Sequence, residues 1–220
     1  MKYGRSDCSV FFEQSLLEDA KHGCSDDRLL IVNQWYPDKN WYDKHRKDMN
    51  VCHLYDFLDN GKTSRDHNLF IRCMRKMPDK TAVIVTDRQH VPSEYKEGEN
   101  ITLYFQDKPN DLTMLQLCLN SKVMVIPLEE KNSLLGPIGG TSFMDAIAVG
   151  MPVVTNKKAS FAQEVSANSL GTLFDLNEGS MTLALMDSLS NYDRYHESVL
   201  EFSRDHTIDT YSNKLRTYIE

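Results

Sequence analysis

From residue 51 onward, short runs of β-branched and apolar residues alternate with stretches whose apolar positions recur at helical spacing, and this rhythm restricts the chain more than any other feature. The runs fall at 51–58, 81–86, 101–105, 123–127, 152–155 and 172–174. Strands separated by helices are not joined by tight hairpins. They pair in parallel, and each crossover lays a helix on a face of the sheet. The expected fold class is α/β, a doubly wound parallel sheet covered on both faces. In 65–77, Phe70, Cys73, Met74 and Met77 fall at helical spacing and Pro78 stops the helix. Segment 112–119 reads the same way. In 141–149, Phe143 and Ile147 share a stripe, Gly150 ends the helix and Pro152 opens the next strand. Ser160 with Gln163 reads as a capping box for a short helix reaching Val165. Residues 181–220 read as all-helical, with Leu185 and Leu189, then Tyr211, Leu215 and Tyr218, facing inward.

Residues 1–50 keep this rhythm only in part. They offer a strand at 9–12, a helix at 15–22 and a strand at 29–32, one and a half βα units with no sheet of their own. The aromatic stretch from Trp35 and Tyr36 to Trp41 and Tyr42, rich in Asp, Lys and Asn, reads as a linker lying across a domain surface. We divide the chain into 1–45, the remnant of an N-terminal domain with its linker, and 46–220, the main domain.

Charge and cysteine usage remove several classes of function. With 25 Lys and Arg against 32 Asp and Glu, the net charge is −7, so no surface-wide basic field is expected for nucleic acid or an anionic bilayer. The longest apolar runs, such as 123–128, fall far short of a transmembrane span, and the N-terminus lacks a signal-peptide core. A cytoplasmic protein is expected. Cys8, Cys24, Cys52, Cys73 and Cys118 form no C-x-x-C pair and read as reduced, mostly buried thiols. The seven histidines are dispersed, and no metal site is expected.

Ligands of open parallel sheets bind at the carboxyl ends of the strands, where turns lead into helices. Two turns fit that description. Residues 59–66, Asp-Asn-Gly-Lys-Thr-Ser-Arg-Asp, carry the Gly-Lys-Thr end of a phosphate-binding P-loop, but the opening glycine of that motif falls on Asp56, within or at the end of a strand, where a carboxylate would repel a triphosphate. What remains is a flexible Gly61 and two cations, Lys62 and Arg65, suited to neutralising a diphosphate; the alternative is a solvated loop in which Arg65 and Asp66 cap the next helix. The second turn, Gly136-Pro137-Ile138-Gly139-Gly140-Thr141-Ser142, combines close backbone approach with the unpaired N–H groups of a helix start, a place for a phosphate. Asp145 lies one turn on, placed to accept from ribose hydroxyls or simply to favour the helix dipole.

The run from Gly139 to Thr155, Gly-Gly-Thr-Ser-Phe-Met-Asp-Ala-Ile-Ala-Val-Gly-Met-Pro-Val-Val-Thr, resembles the donor-site signature of the retaining, glycogen-synthase-like and sucrose-synthase-like GT-B glycosyltransferases. In that family a glycine-rich turn, a helix with an acidic residue followed by Ala and then Gly-x-Pro-Val occur in this order. Gly61-Lys62 with Arg65 resembles the family's phosphate-clamping turn. Glu164-Val165 followed by Gly171-Thr172-Leu173-Phe174 resembles the segment after the donor helix. The likeness covers about residues 50–220, and 9–37 resemble the end of the family's N-terminal domain.

The resemblance implies a Rossmann-like domain, the C-terminal half of a GT-B fold, with a short N-terminal remnant and terminal helices. It implies that Gly139, Gly140 and Thr141 meet the diphosphate of a nucleotide sugar, that Lys62 and Arg65 neutralise it as the catalytic cations, that Asp145 holds the ribose, that Phe105 and Gln106 offer backbone contacts to the base, and that Gly61 and Ser142 belong to the same donor site. The implied activity is metal-independent, retaining glycosyl transfer from a UDP-sugar, with no cofactor beyond that substrate. An acceptor-binding partner or N-terminal half would complete it; membrane contact would come only through that partner. The family often carries two glutamates eight positions apart around the glycine turn. Here Asp145 takes the second position and Pro137 the first, with Glu129 and Glu130 as the nearest substitutes. The rival readings are a binder of nucleotide sugars that has lost turnover and a flavodoxin-like or response-regulator-like domain, for which Asp56 with Asp59 is a poor match.

Overall fold

The computed structural model describes residues 8–11, 29–32, 36–62, 64–106, 110–129 and 138–219. Six strands, β3 (Tyr55–Asn60), β4 (Ala82–Thr86), β5 (Ile101–Phe105), β6 (Ser121–Ile126), β7 (Val153–Asn156) and β8 (Gly171–Phe174), form one sheet in the order β5-β4-β3-β6-β7-β8. Every pair is parallel. The chain builds outward from β3 to β5, then returns to lay β6 on the other side of β3. This is the 3-2-1-4-5-6 order of a Rossmann-like fold, with its switch point between β3 and β6. Before it, β1 (Cys8–Phe11) and β2 (Leu29–Val32) pair in parallel as a separate two-stranded sheet. The helix expected at 15–22 lies outside the described residues.

Side chains alternate across the sheet and divide the core into two layers. Phe57, Ile84, Val123, Val125 and Val154 face α2 (His67–Arg75) and α6 (Glu178–Ser190). Leu58, Val83, Val85, Met124, Ile126 and Val153 face the other way, against α3 (Asp111–Leu119), α4 (Gly140–Val149), α5 (Ala162–Ala167) and α7 (Tyr192–Asp205). Phe143 of α4 stacks on Phe161 with centroids 4.7 Å apart. Local signals set the helix ends. Asp66 caps α2 by accepting from Leu69 N–H at 2.9 Å, Asn110 caps α3 and Asn177 caps α6. At the far end of α2, Asn100 Nδ2 donates to the carbonyls of Met74, Met77 and Lys80 and closes the corner into β4.

Several expectations need correction. The first strand of the sheet begins at Tyr55, not at 51, because His53 has a φ of 43° and Val51 and Leu54 point to solvent. The stretch read as a linker contains α1 (Lys39–Arg46), capped by Asp38, which accepts from Trp41 N–H. The capping box at Ser160 and Gln163 does not form: the N-cap of α5 is Phe161, with no side-chain cap. In the terminal helices Leu185 is buried and Leu189 packs on the core as expected, but the next buried stripe lies on α7, at Tyr195, Val199 and Phe202. Tyr211 and Leu215 of α8 (Ile208–Ile219) are only half-buried. Among the described side chains, Cys73 and Cys118 are buried and Cys52 is exposed, all three free.

The chain enters and leaves this body at one place. Ile208 N–H donates to Pro37 C=O at 3.2 Å, and Tyr36 packs edge-on against Phe202 and His206 while its hydroxyl donates to Glu164 at 2.8 Å. Along the β8 edge, Gly171 has a φ of 151°, and a Cβ there would stand 1.9 Å from the Val153 carbonyl oxygen. Backbone cannot yield as a side chain does, so Gly171→Ala should cost about 3 kcal/mol or more, read as a lower urea midpoint with an unchanged m-value.

Candidate functional site

The site is set by how β3 ends. Period-two alternation sends Asp59 toward α2 and Asn60 toward α4, and the chain then turns at Gly61. Asp59 is fully buried, and its Oδ2 lies 2.6 Å from His67 Nδ1, at the first residue of α2. On the opposite face, Asn60 Nδ2 donates to Asp145 Oδ2 at 3.4 Å, while the Asn60 carbonyl accepts from Ser142 Oγ at 2.5 Å and from Arg65 Nη2 at 3.3 Å. Arg65 Nη2 also reaches Ser142 Oγ at 3.1 Å. The loop after β3 and the start of α4 are thereby joined side chain to side chain at the switch point.

Backbone contacts brace the same junction. Asp66 N–H donates to Pro127 C=O at 2.6 Å and Glu129 N–H to Ser64 C=O at 3.2 Å, with Arg65 and Leu128 forming an antiparallel bridge. Asn156, at the end of β7, donates to Leu128 C=O at 2.9 Å. The glycines are required by close approach. A Cβ on Gly61 would stand 2.5 Å from Arg65 Nε, so this glycine makes room for the guanidinium. Gly139, the N-cap of α4, has a φ of 85°, and a Cβ there would stand 2.8 Å from Ile126 Cγ2. It supplies no capping side chain, so α4 presents its first N–H groups without an internal competitor from the cap residue.

The sequence-derived residues therefore separate into two groups. Arg65, Ser142 and Asp145 meet around Asn60, Gly61 follows it and makes room for Arg65, and Gly139 and Gly140 open the helix that carries Ser142 and Asp145. Thr141 is exposed on the first turn of α4, whereas Ser142 is buried. Phe105 and Gln106 lie two strands away at the end of β5, where Lys62 Nζ donates to Gln106 C=O at 2.6 Å. The Gln106 N–H is spent on Thr86 C=O at 2.9 Å, and Arg88 lies over the Phe105 ring at 4.9 Å. Asp56, the residue a P-loop would need as glycine, sits inside β3 and pairs with Lys122 at 3.0 Å. Asp66 fulfils the capping role read as its alternative; Arg65 instead reaches across to α4. Pro137 and Glu130 lie outside the described residues, and among those described no cluster of His, Cys, Asp or Glu could hold a metal ion.

Three residues of the site were not singled out from the sequence. Tyr42, read as linker, donates its hydroxyl to Asp145 Oδ1 at 2.6 Å from α1. Asn60 looked like an ordinary turn residue. His67 looked dispersed, although a carboxylate at the inward position 59 of an otherwise apolar strand was the signal that some cation must face it. Electrostatics follow from this packing. Burial pushes the Asp145 carboxyl up to about 6, against the Tyr42 hydrogen bond, which favours its charge. Burial and then the Asp145 charge push the Tyr42 phenol well up. Burial draws the Arg65 guanidinium below its ordinary range while Asp59 opposes it. For His67, burial works downward, but Asp59 outweighs it and holds the imidazole above its usual value.

A parallel sheet of this order, with a cationic loop and a glycine-led helix at its switch point, is similar in fold to GT-B glycosyltransferase domains. No protein-family model and no curated protein sequence matches the chain. Solved structures do. WaaG, a glycosyltransferase involved in lipopolysaccharide biosynthesis, superposes with a TM-score of 0.67 at 15% identity over 94% of this chain and 60% of its own. AviGT4, a glycosyltransferase involved in avilamycin A biosynthesis, gives 0.62 at 12% identity over 98% and 65%. An alpha-glucosyltransferase in complex with UDP and a 13-mer DNA gives 0.60 at 17% identity over 96% and 69%. The chain thus spans less than two thirds of the length of the first two, and at these identities the likeness is one of fold. Among the described residues no helix is long and apolar enough to cross a membrane.

The raised Asp145 has a consequence for stability. A carboxyl whose folded value of about 6 exceeds its unfolded value is held in its protonated form by the fold. Stability is greatest below the unfolded value, falls as pH rises toward about 6, and is level above that. Asp145→Asn, neutral throughout, should gain on the wild type between about pH 4 and about pH 7.5 by about 2 kcal/mol, measured by urea denaturation at the two pH values.

Proposed function

We propose that this domain binds a nucleoside-diphosphate sugar, with UDP as the favoured nucleotide, and serves glycosyl transfer from it. The observation that carries the reading is the Arg65 to Ser142 contact, which brings a cationic loop and an uncapped helix start together at the switch point of the sheet. A diphosphate suits that junction. Its oxygens would accept from the N–H groups of Gly140 and Thr141, with Arg65 beneath and Lys62, which needs only to leave the Gln106 carbonyl, closing from the side. Asp145, above its titration at neutral pH, would accept from ribose hydroxyls with the lone pairs that Tyr42 and Asn60 leave open.

Breaking the anomeric C–O bond places negative charge on the departing diphosphate. Fixed positive ends aimed there stabilise the transition state more than the ground state. Lys62, Arg65 and the start of α4 supply such ends without a metal. In the retaining course that the sequence resemblance implies, the acceptor hydroxyl attacks from the face the diphosphate leaves, and the diphosphate takes its proton. The domain then needs no acid-base pair of its own and chiefly positions the donor. An acceptor-binding half or partner would supply the second substrate. Pro137 at the position of the family's sugar-side acid favours one second reading, a nucleotide-sugar binder without turnover. The two are separated by whether added UDP-sugar is hydrolysed or transferred.

Thermal denaturation in EDTA tests the binding step. UDP at about a hundredfold excess over its Kd should stabilise by about 2.7 kcal/mol, a rise of about 5–10 °C for a domain of this size; no rise with any nucleoside diphosphate refutes the reading. Lys62→Ala should weaken UDP about tenfold, the scale of one charge-assisted hydrogen bond, and leave uridine unchanged in calorimetric titration.

A further inference from the structure

Beneath the loop lies a buried group of charges to which the donor reading assigns only Arg65. The side chains of Asp59, Arg65 and His67 are 0%, 5% and 7% exposed. Asp59 Oδ1, Arg65 Nε and His67 Nε2 are buried without a hydrogen-bond partner. Three such atoms in one place are unusual, since each forfeits its hydration. The arrangement is also unequal. His67 Nδ1 approaches Asp59 Oδ2 to 2.6 Å, whereas Arg65 Nε stands 4.0 Å from Asp59 Oδ1, too far for a hydrogen bond. The guanidinium instead directs Nη2 across the crevice to Ser142 and the Asn60 carbonyl. Two cations face one carboxylate, and the imidazole holds it.

We infer that His67 is a positioning residue for the diphosphate site: as an imidazolium it occupies Asp59 and leaves Arg65 turned to Ser142 and the start of α4. When the ring gives its proton to solvent, Arg65 becomes the only cation among the described residues facing Asp59 and is drawn onto it, away from the crevice. The inference rests on the donor reading for its ligand, though not for the coupling itself. The charged groups facing His67 are Asp59 from β3 and Arg65 from the loop. Asp66, next in sequence, is engaged in capping, and Arg72 of the same helix is paired at the surface with Glu94 and Glu178. The Asp59 pairing raises the imidazole despite its burial, so the ring stays charged above the pH at which a free histidine loses its proton. A purely structural hydrogen bond would be met equally by a neutral amide, which separates the two roles.

The test uses the full chain, wild type and His67→Gln, with UDP and inorganic pyrophosphate as probes, titrated by calorimetry in EDTA at about pH 6 and about pH 9. The ligand's own ionisation cancels in the ratio of the two proteins. Wild type should bind each probe about tenfold more tightly than His67→Gln at the lower pH, the scale of one charge-assisted contact, and equally at the higher. A ratio that does not change with pH overturns the inference. In the ligand-free wild type, nitrogen-15 NMR should show the Arg65 Nε resonance moving with the midpoint of the His67 ring. An Arg65 signal indifferent to that titration also overturns it. If wild type binds neither probe at any pH, the donor reading fails by itself, and the Arg65 resonance still decides the coupling.

Discussion

The parallel pairing of β3 with β6 is the constraint on which the site depends. Because the chain returns past its own starting strand, the helices that follow β3 and β6 pack on opposite faces, and the loop and helix start that follow them meet at one crevice. The last two residues of β3 then serve two layers. Asp59 looks to α2 and selects His67 and Arg65, and Asn60 looks to α4 and gathers Ser142 and Asp145. One strand end thus binds both halves of the candidate site, and shifting it by a single residue would exchange the two sets of partners.

Much of the fold was legible because strand and helix periods leave distinct marks. The alternation after residue 51 fixed the class of fold, and β5 and β2 fall where their apolar runs stand. What failed was context. Val51 and Leu54 are apolar enough for a strand, but the ladder to β4 begins only at Phe57, opposite Ala82, and a left-handed His53 breaks the extension. Tyr211 and Leu215 sit at helical spacing, yet the layer they would join is already filled by Tyr195, Val199 and Phe202. Periodicity tells which face is apolar, not whether a surface waits for it.

The site was legible in its parts and not in its wiring. Glycine pairs and nearby cations are local signals, and Gly139 with Gly140 and Gly61 with Arg65 were visible for that reason. That Gly61 makes space for Arg65 and that Ser142 receives it across the crevice are non-local facts. Nothing at position 42 indicates a hydroxyl 103 residues before its acceptor. Lys62 shows the same limit: its charge was evident, but its resting partner, the Gln106 carbonyl, lies just past the end of a strand two places across the sheet.

The bond between Ile208 and Pro37 means that everything between those residues hangs from a single doorway. Immediately inside it runs α1, whose Tyr42 ends on the Asp145 carboxylate. Tyr42 thereby ties the doorway to the crevice across one short helix.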